Sequence, residues 1–114
     1  MRISVELIPR GRAELLSDAE TVRSVMPHAN AFNIPDLMRF PMRSWEACKL
    51  TSGILPASIP HIRAIDVPPG DALPLVNAIQ AAGFNEVLVI RGDPPHDMSP
   101  VSYTHLTLPT NREV

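Results

Sequence analysis

The segment EVLVIRGDPPHD, residues 86–97, runs from a largely apolar stretch straight into an arginine, a glycine, an aspartate and two prolines. A short apolar run that turn residues close is typical of a buried strand. Arg91, Gly92 and Asp93 then follow the carboxyl end of that strand, where parallel-sheet proteins build their binding sites. The segment therefore predicts a strand within residues 85–92 and a functional turn after it.

Three further strands precede this one, and helices separate them. Apolar runs predict strands at residues 3–8, 29–34 and 57–67. Helical spacing and end signals predict helices at residues 12–25, from Ser44 as N-cap to a stop at Gly53, and at residues 71–83. Because parallel strands need a long connection that a helix can supply, the alternation predicts an α/β fold with a parallel sheet.

Two closures of such a sheet stay open, an open doubly wound sheet and part of a (β/α)₈ barrel. Polar residues at or near the carboxyl ends of all four predicted strands favour the barrel, because there every strand end opens on one shared face. These residues are Glu6, Asn33, Asp36, His61, Arg63, Asp66, Arg91 and Asp93. A full barrel takes ~250 residues, so the chain is expected to supply its first half, from the first strand through the fourth.

The composition limits the function classes. With 114 residues, 45% hydrophobic residues and a net charge of −2, the chain fits one small domain and shows no electrostatic preference for nucleic acid or an anionic membrane. Its single cysteine, Cys48, cannot form an internal disulfide and is expected to be an ordinary buried or half-buried thiol and not a nucleophile. No run reaches the ~20 apolar residues of a membrane helix, and charges interrupt any signal-peptide core. We therefore expect a cytoplasmic protein.

The last stretch, VSYTHLTLPTNREV at residues 101–114, has no helical or strand pattern where a further helix is expected. It resembles the translation of a transposon-end adapter, a DNA segment that is used to prepare sequencing libraries. Such a segment does not belong to the native protein, so these residues take no part in the predicted fold. The alternative is an ordinary irregular tail. We expect native sequence to end near Pro100, with residues 1–100 as a partial barrel domain whose fourth strand leaves an unpaired apolar edge.

Three motifs carry a family resemblance. ISVELIPR at residues 3–10, IPHIRAID at 59–66 and VLVIRGDPP at 87–95 follow the order and approximate spacing found in the methylenetetrahydrofolate reductase family. The chain resembles these flavin-dependent (β/α)₈ barrels over residues 3–95, with RGDPP as the most specific part. The resemblance implies FAD as cofactor, NAD(P)H as hydride donor, reduction of 5,10-methylenetetrahydrofolate to 5-methyltetrahydrofolate, and a homo-oligomer at full length.

The resemblance also implies roles for particular residues. Glu6 matches the family's general acid. His61 matches the histidine of its Pro-His motif, and Arg91, Gly92 and Asp93 match its flavin-contacting turn, so these four are the expected cofactor-binding residues. The resemblance implies no metal. By strand alternation Ser4 and Glu6 share one face, and a carboxyl removed from water there is a suitable proton donor.

Other interpretations of these residues stay open. Glu6 could instead pair with an arginine such as Arg63 or Arg91, His61 could be a structural histidine, and residues 91–93 could form an exposed loop or, least favoured, an adhesion signal. The alternative function is a non-catalytic or methyl-transfer pterin-binding barrel.

Overall fold

The computed structural model of the chain describes residues 1–67, 70–71 and 73–91, and the backbone of residues 103–107. The elements follow in the order β1 (Ser4–Glu6), α1 (Arg12–Val25), β2 (Ala31–Ile34), α2 (Ser44–Thr51), β3 (Ala57–Arg63), a 3₁₀ turn (Ala64–Asp66), α3 (Leu73–Ala81), β4 (Glu86–Ile90) and β5 (Tyr103–Thr107). The predicted α/β class is confirmed, because four parallel strands alternate with helices. Among the described helices, none has the length and apolarity to cross a membrane.

The sheet keeps its strands in chain order, β1-β2-β3-β4-β5, with the first four parallel. Its register sets Glu6 of β1 beside Asn33 of β2, and Asn33 beside Ile59 of β3. Two residues further along β3, His61 lies beside Leu88 of β4. Registered neighbours in parallel strands point to the same side of the sheet, so these five residues share one face.

The described helices all pack against the opposite face. The buried cluster beneath α1 and α2 joins Leu15 and Cys48 of those helices to Phe32 and Ile34 of β2. A second cluster joins the α3 residue Ile79 to Ile62 and Val87 of β3 and β4. An open doubly wound sheet carries helices on both faces. The described chain instead has its helices on one side, which is compatible with a partial β/α fold.

The other face of the sheet is concave. Ser4, Asn33, Ile59 and Leu88, one residue from each parallel strand, line a single pocket of about 250 Å³ together with Arg2. Across this face the Arg2 guanidinium reaches from the chain before β1 to the Glu86 carboxylate at the start of β4, with 2.8 Å between Nη1 and Oε2. We call this surface the helix-free face.

Helix ends follow local chemistry, with one correction. Gly53 and Gly83 follow α2 and α3 with φ of 89° and 96°, a conformation that glycine adopts without steric cost, so both predicted stops are confirmed. Ser44 is the first residue of α2 and not its N-cap, which is Arg43. The Arg43 amide donates to the Glu46 carboxylate at 2.8 Å. The Ser44 hydroxyl is thereby free to reach β3.

The expectation of an unpaired β4 edge is wrong. Residues Tyr103–Thr107 form β5, which pairs antiparallel with the whole of β4, from Glu86 beside Thr107 to Ile90 beside Tyr103. An open strand edge presents a row of free amides and carbonyls, and threonine and tyrosine favour extended backbone. The tail therefore supplies a strand where no pattern was predicted, and its adapter origin stays a prediction.

Removing β5 is expected to cause self-association. A chain ended at Pro100 uncovers the backbone groups of the apolar strand β4, which then recruit the edge of another chain. Sedimentation at matched concentrations should give a larger average mass for residues 1–100 than for residues 1–107, a control that keeps β5. Equal masses for the two chains would show that β5 does not protect the edge.

Candidate functional site

A line of hydrogen bonds crosses the helix-free face from β1 to β3. The Asn33 side-chain amide donates from Nδ2 to Ser4 Oγ at 2.7 Å, and Asn33 Oδ1 lies 2.9 Å from His61 Nε2. His61 is only 2% exposed, although it carries a polar ring. The sequence placed these residues at strand ends, and the register brings two of them, Asn33 and His61, into direct contact.

His61 is neutral at pH 7. Burial lowers its pKa to about 4, because a charged imidazolium loses its hydration, while the negative charge of Asp36 opposes the shift. Its other ring nitrogen, Nδ1, is buried and has no hydrogen-bond partner among the described residues. His61, which is predicted to contact the cofactor, is therefore a buried ring whose Nδ1 has no hydrogen-bond partner among the described residues.

The stability of the chain should depend on pH through His61. The folded pKa of about 4 lies below the 6.5 of an unfolded histidine, so the unfolded chain binds the proton first as the pH falls. The difference between the two pKa values contributes about 3 kcal/mol to the free energy of unfolding above pH 6.5, and this contribution is lost as the pH falls towards 4. Urea unfolding at several pH values should show that the free energy of unfolding decreases more steeply between pH 6.5 and pH 4 for the parent than for His61→Gln.

His28→Gln is the matched control for that measurement, since His28 is exposed. The pH dependence of its stability should follow that of the parent, because the substitution leaves the buried His61 ring in place. Parallel curves for the parent and His61→Gln would contradict the neutral, buried state of His61.

Glu6 lies on the same face, beside Asn33 in the register. Its side chain is exposed, and it makes no hydrogen bond or ion pair with the residues that the structure describes. The expected removal of its carboxyl from water is therefore wrong for this chain, because the helix-free face is open above the end of β1. The alternative pairing with Arg63 is also absent, since the Arg63 guanidinium lies 3.5 Å from the Asp66 carboxylate.

The predicted flavin-contacting turn is only partly described. Arg91 is exposed, and its carbonyl accepts a hydrogen bond from the Ile65 amide at 3.1 Å. This bond ties the end of β4 to the 3₁₀ turn that follows β3. Gly92 and Asp93 lie outside the described residues.

A second polar cluster, which sequence reasoning did not assign to a site, surrounds Asp36. This carboxylate is 3% exposed and accepts hydrogen bonds from Arg43 Nε at 3.0 Å, Arg43 Nη2 at 2.6 Å and the Ser44 amide at 2.9 Å. The bond to Asp36 raises the pKa of the Arg43 guanidinium. The Ser44 hydroxyl in turn donates to the His61 carbonyl, so the cluster is joined to the helix-free face.

The Asp36 cluster borders a cleft of about 390 Å³ between the end of β3 and the starts of α2 and α3. Its lining combines charged side chains with an apolar rim: Asp36, Met38, Arg43, Trp45, Arg63, Asp66, Val67, Asp71, Pro74, Leu75 and Ala78. The Arg43 guanidinium stacks on Trp45 at 4.5 Å from the ring centre. Three of the strand-end residues singled out in the sequence, Asp36, Arg63 and Asp66, thus meet here and not beside Glu6.

Among the described residues, neither the helix-free face nor the Asp36 cluster has the side chains of a metal centre. Within the described residues, no group of three or more His, Cys, Asp or Glu side chains could hold an ion. Cys48 is buried under α2, and burial raises the pKa of its thiol, so the predicted buried thiol is confirmed.

Comparison with known proteins adds no family. No protein-family model, no curated protein and no solved structure matches the chain. The resemblance carried by residues 3–95 therefore stays a prediction, and inferences about function rest on the chain's own residues.

Proposed function

We propose that the chain forms the first half of a flavin-dependent (β/α)₈ oxidoreductase, which uses NAD(P)H to reduce 5,10-methylenetetrahydrofolate to 5-methyltetrahydrofolate. One observation carries the proposal: Glu6, Asn33 and His61, from three successive parallel strands, lie together on a face that no described helix covers. A cytoplasmic location and a homo-oligomer at full length belong to the same proposal.

The barrel closure is supported by the order of the strands and the placement of the helices. In a (β/α)₈ barrel each strand is followed by a helix on the outside, and neighbouring strands follow each other in sequence. The parallel strands β1 to β4 have this order, with α1 to α3 on one side. The concave helix-free face is then the inner wall, and the carboxyl ends of the strands form the rim where such enzymes bind their ligands.

The described residues fit a flavin in one respect. The buried, unpartnered Nδ1 of His61 is an acceptor that suits an N–H donor of a cofactor ring. Arg91, Gly92 and Asp93 would hold the cofactor from the next strand end, with the Arg91 guanidinium on its carbonyl or phosphate oxygens and a glycine that permits close approach of the backbone. FAD, when bound, stores the hydride between donor and substrate.

Glu6 supplies the proton in this proposal. Breaking one carbon–nitrogen bond of the methylene bridge leaves a nitrogen that must take up a proton, and a general acid within reach would supply it. The hydride would then reduce the resulting iminium carbon to the methyl group. Glu6 is the carboxyl beside Asn33 and His61, and it has no hydrogen-bond or ion-pair partner among the described residues. Its exposure in this chain leaves it accessible to a substrate, and in the proposed enzyme the bound substrate would remove it from water, as a carboxyl that donates a proton requires.

The proposal is tested on a protein whose native coding sequence continues past residue 100 and completes the proposed barrel; we call it the product of the uninterrupted gene. We expect a yellow protein that retains FAD through gel filtration, loses its flavin absorbance on anaerobic addition of NADH or NADPH, and regains it on addition of methylenetetrahydrofolate. A colourless protein that takes up no FAD would contradict the proposal and favour the non-catalytic or methyl-transfer pterin-binding barrel.

A further inference from the structure

The orientation of the Asn33 amide determines which atom faces His61. Its Nδ2 donates to Ser4 Oγ at 2.7 Å, so Oδ1 is the atom turned towards the imidazole. A side-chain amide oxygen only accepts hydrogen bonds. The 2.9 Å contact therefore requires a proton on His61 Nε2.

A neutral imidazole carries one N–H, so the proton on Nε2 leaves Nδ1 as a bare acceptor. That nitrogen is buried and has no partner in the part of the chain that the structure describes. Native proteins pair nearly all buried polar atoms, because an unpaired one loses the hydrogen bond that it makes with water in the unfolded chain. An acceptor left unpaired by the described residues is therefore a feature to be explained by a donor that they do not supply.

We propose that Asn33 is a positioning residue: it holds His61 as the Nε2–H tautomer and so keeps Nδ1 as the acceptor for a hydrogen-bond donor of a bound ligand. Ser4 supports the arrangement, because its Oγ accepts the hydrogen bond from Asn33 Nδ2 while Oδ1 faces the ring. The identity of the ligand as a flavin rests on the function proposed above, whereas the tautomer does not.

The charges around His61 agree with a neutral acceptor. Asp36 beyond β2 favours the protonated ring, but desolvation outweighs it. Glu6 on β1 lies beside Asn33, and Arg63 on β3 is engaged with Asp66. His61 serves as an acceptor, and Glu6 is a separate carboxyl on the same face, so the two side chains have separate roles.

The tautomer is read directly by long-range ¹H–¹⁵N NMR of the 114-residue chain. The parent should show a protonated Nε2 and an unprotonated Nδ1 for His61. Asn33→Leu and the milder Ser4→Ala should both release this preference and give mixed tautomers. Asn33→Asp should keep the tautomer but raise the titration midpoint of His61 from about 4 to about 6, because a neighbouring carboxylate favours the imidazolium.

The control is Asn77→Asp, which adds the same charge at an exposed position of α3 and should change neither the tautomer nor the midpoint. A protonated Nδ1 in the parent, or an unchanged tautomer in both Asn33→Leu and Ser4→Ala, would overturn the role of Asn33. These spectra need no cofactor, so they separate this inference from the proposed function.

FAD is the probe for the ligand, added to the product of the uninterrupted gene. A donor that reaches Nδ1 should shift its ¹⁵N resonance while Nε2 stays protonated. Bound FAD with an unmoved Nδ1 resonance would overturn the ligand part of the inference alone. Failure to bind FAD would overturn the proposed function together with that part, and would leave the role of Asn33 to the tautomer spectra.

Discussion

Asp36→Ala is expected to lower the free energy of unfolding by about 3 kcal/mol, because it leaves the Arg43 guanidinium without its partner. The Asp36 carboxylate is 3% exposed, and it takes two hydrogen bonds from Arg43 and one from the Ser44 amide. Arg43 is 33% exposed and partly regains water, so the loss lies at the low end of the range for broken buried pairs. Urea unfolding should show a lower midpoint at an unchanged slope.

Two variants separate charge from hydrogen bonding at this position. Asp36→Asn keeps an oxygen for the Ser44 amide and removes the charge, so its loss should be smaller than that of Asp36→Ala. Glu20→Ala is the matched control, since Glu20 and Arg23 form a pair on α1 that is exposed and nearly as short, at 2.7 Å against 2.6 Å. It should cost less than ~1 kcal/mol. Equal losses for Asp36→Ala and Glu20→Ala would show that burial adds nothing to the Asp36 pair.

The order of strands and helices could be predicted from the sequence because each element is specified locally. Period and end signals were sufficient for α1, which spans Arg12–Val25 as predicted, and for the stops at Gly53 and Gly83. For Asn33 and His61, the sequence predicted only that both lie at the carboxyl ends of strands, on one shared face. The hydrogen bond itself depends on the register of β2 and β3, which no local signal specifies.

The remaining features depend on tertiary structure. The Asp36 cluster needs the loop before α2 to turn back, so that an arginine seven residues later reaches the carboxylate; neither residue carries a signal for this alone. The pairing of β5 is determined by the free edge of β4, which a search for local periodicity does not include. The exposure of Glu6 follows from the open helix-free face, so alternation predicted its side of β1 correctly but not its access to water.

Because a substrate can reach Glu6, this is the residue whose replacement should most affect the proposed reaction. In the product of the uninterrupted gene, Glu6→Gln keeps nearly the same shape and hydrogen-bonding reach but cannot release a proton. Hydride transfer from the nicotinamide needs no acid, so anaerobic flavin reduction should stay within about tenfold of the parent, whereas reoxidation by methylenetetrahydrofolate should fall by ~10²-fold or more. Stopped-flow absorbance measures the two steps separately.

The control for this measurement is Glu14→Gln, a carboxylate on α1, whose helix packs against the opposite face of the sheet. Both half-reactions should match the parent in that variant. Equal slowing of the two steps in Glu6→Gln would indicate a structural carboxylate, because a lost proton donor affects only the step that consumes a proton. Unchanged rates in both steps would remove Glu6 from the site, and the contact between Asn33 and His61 would then have to serve a reaction that takes its proton from another group or from water.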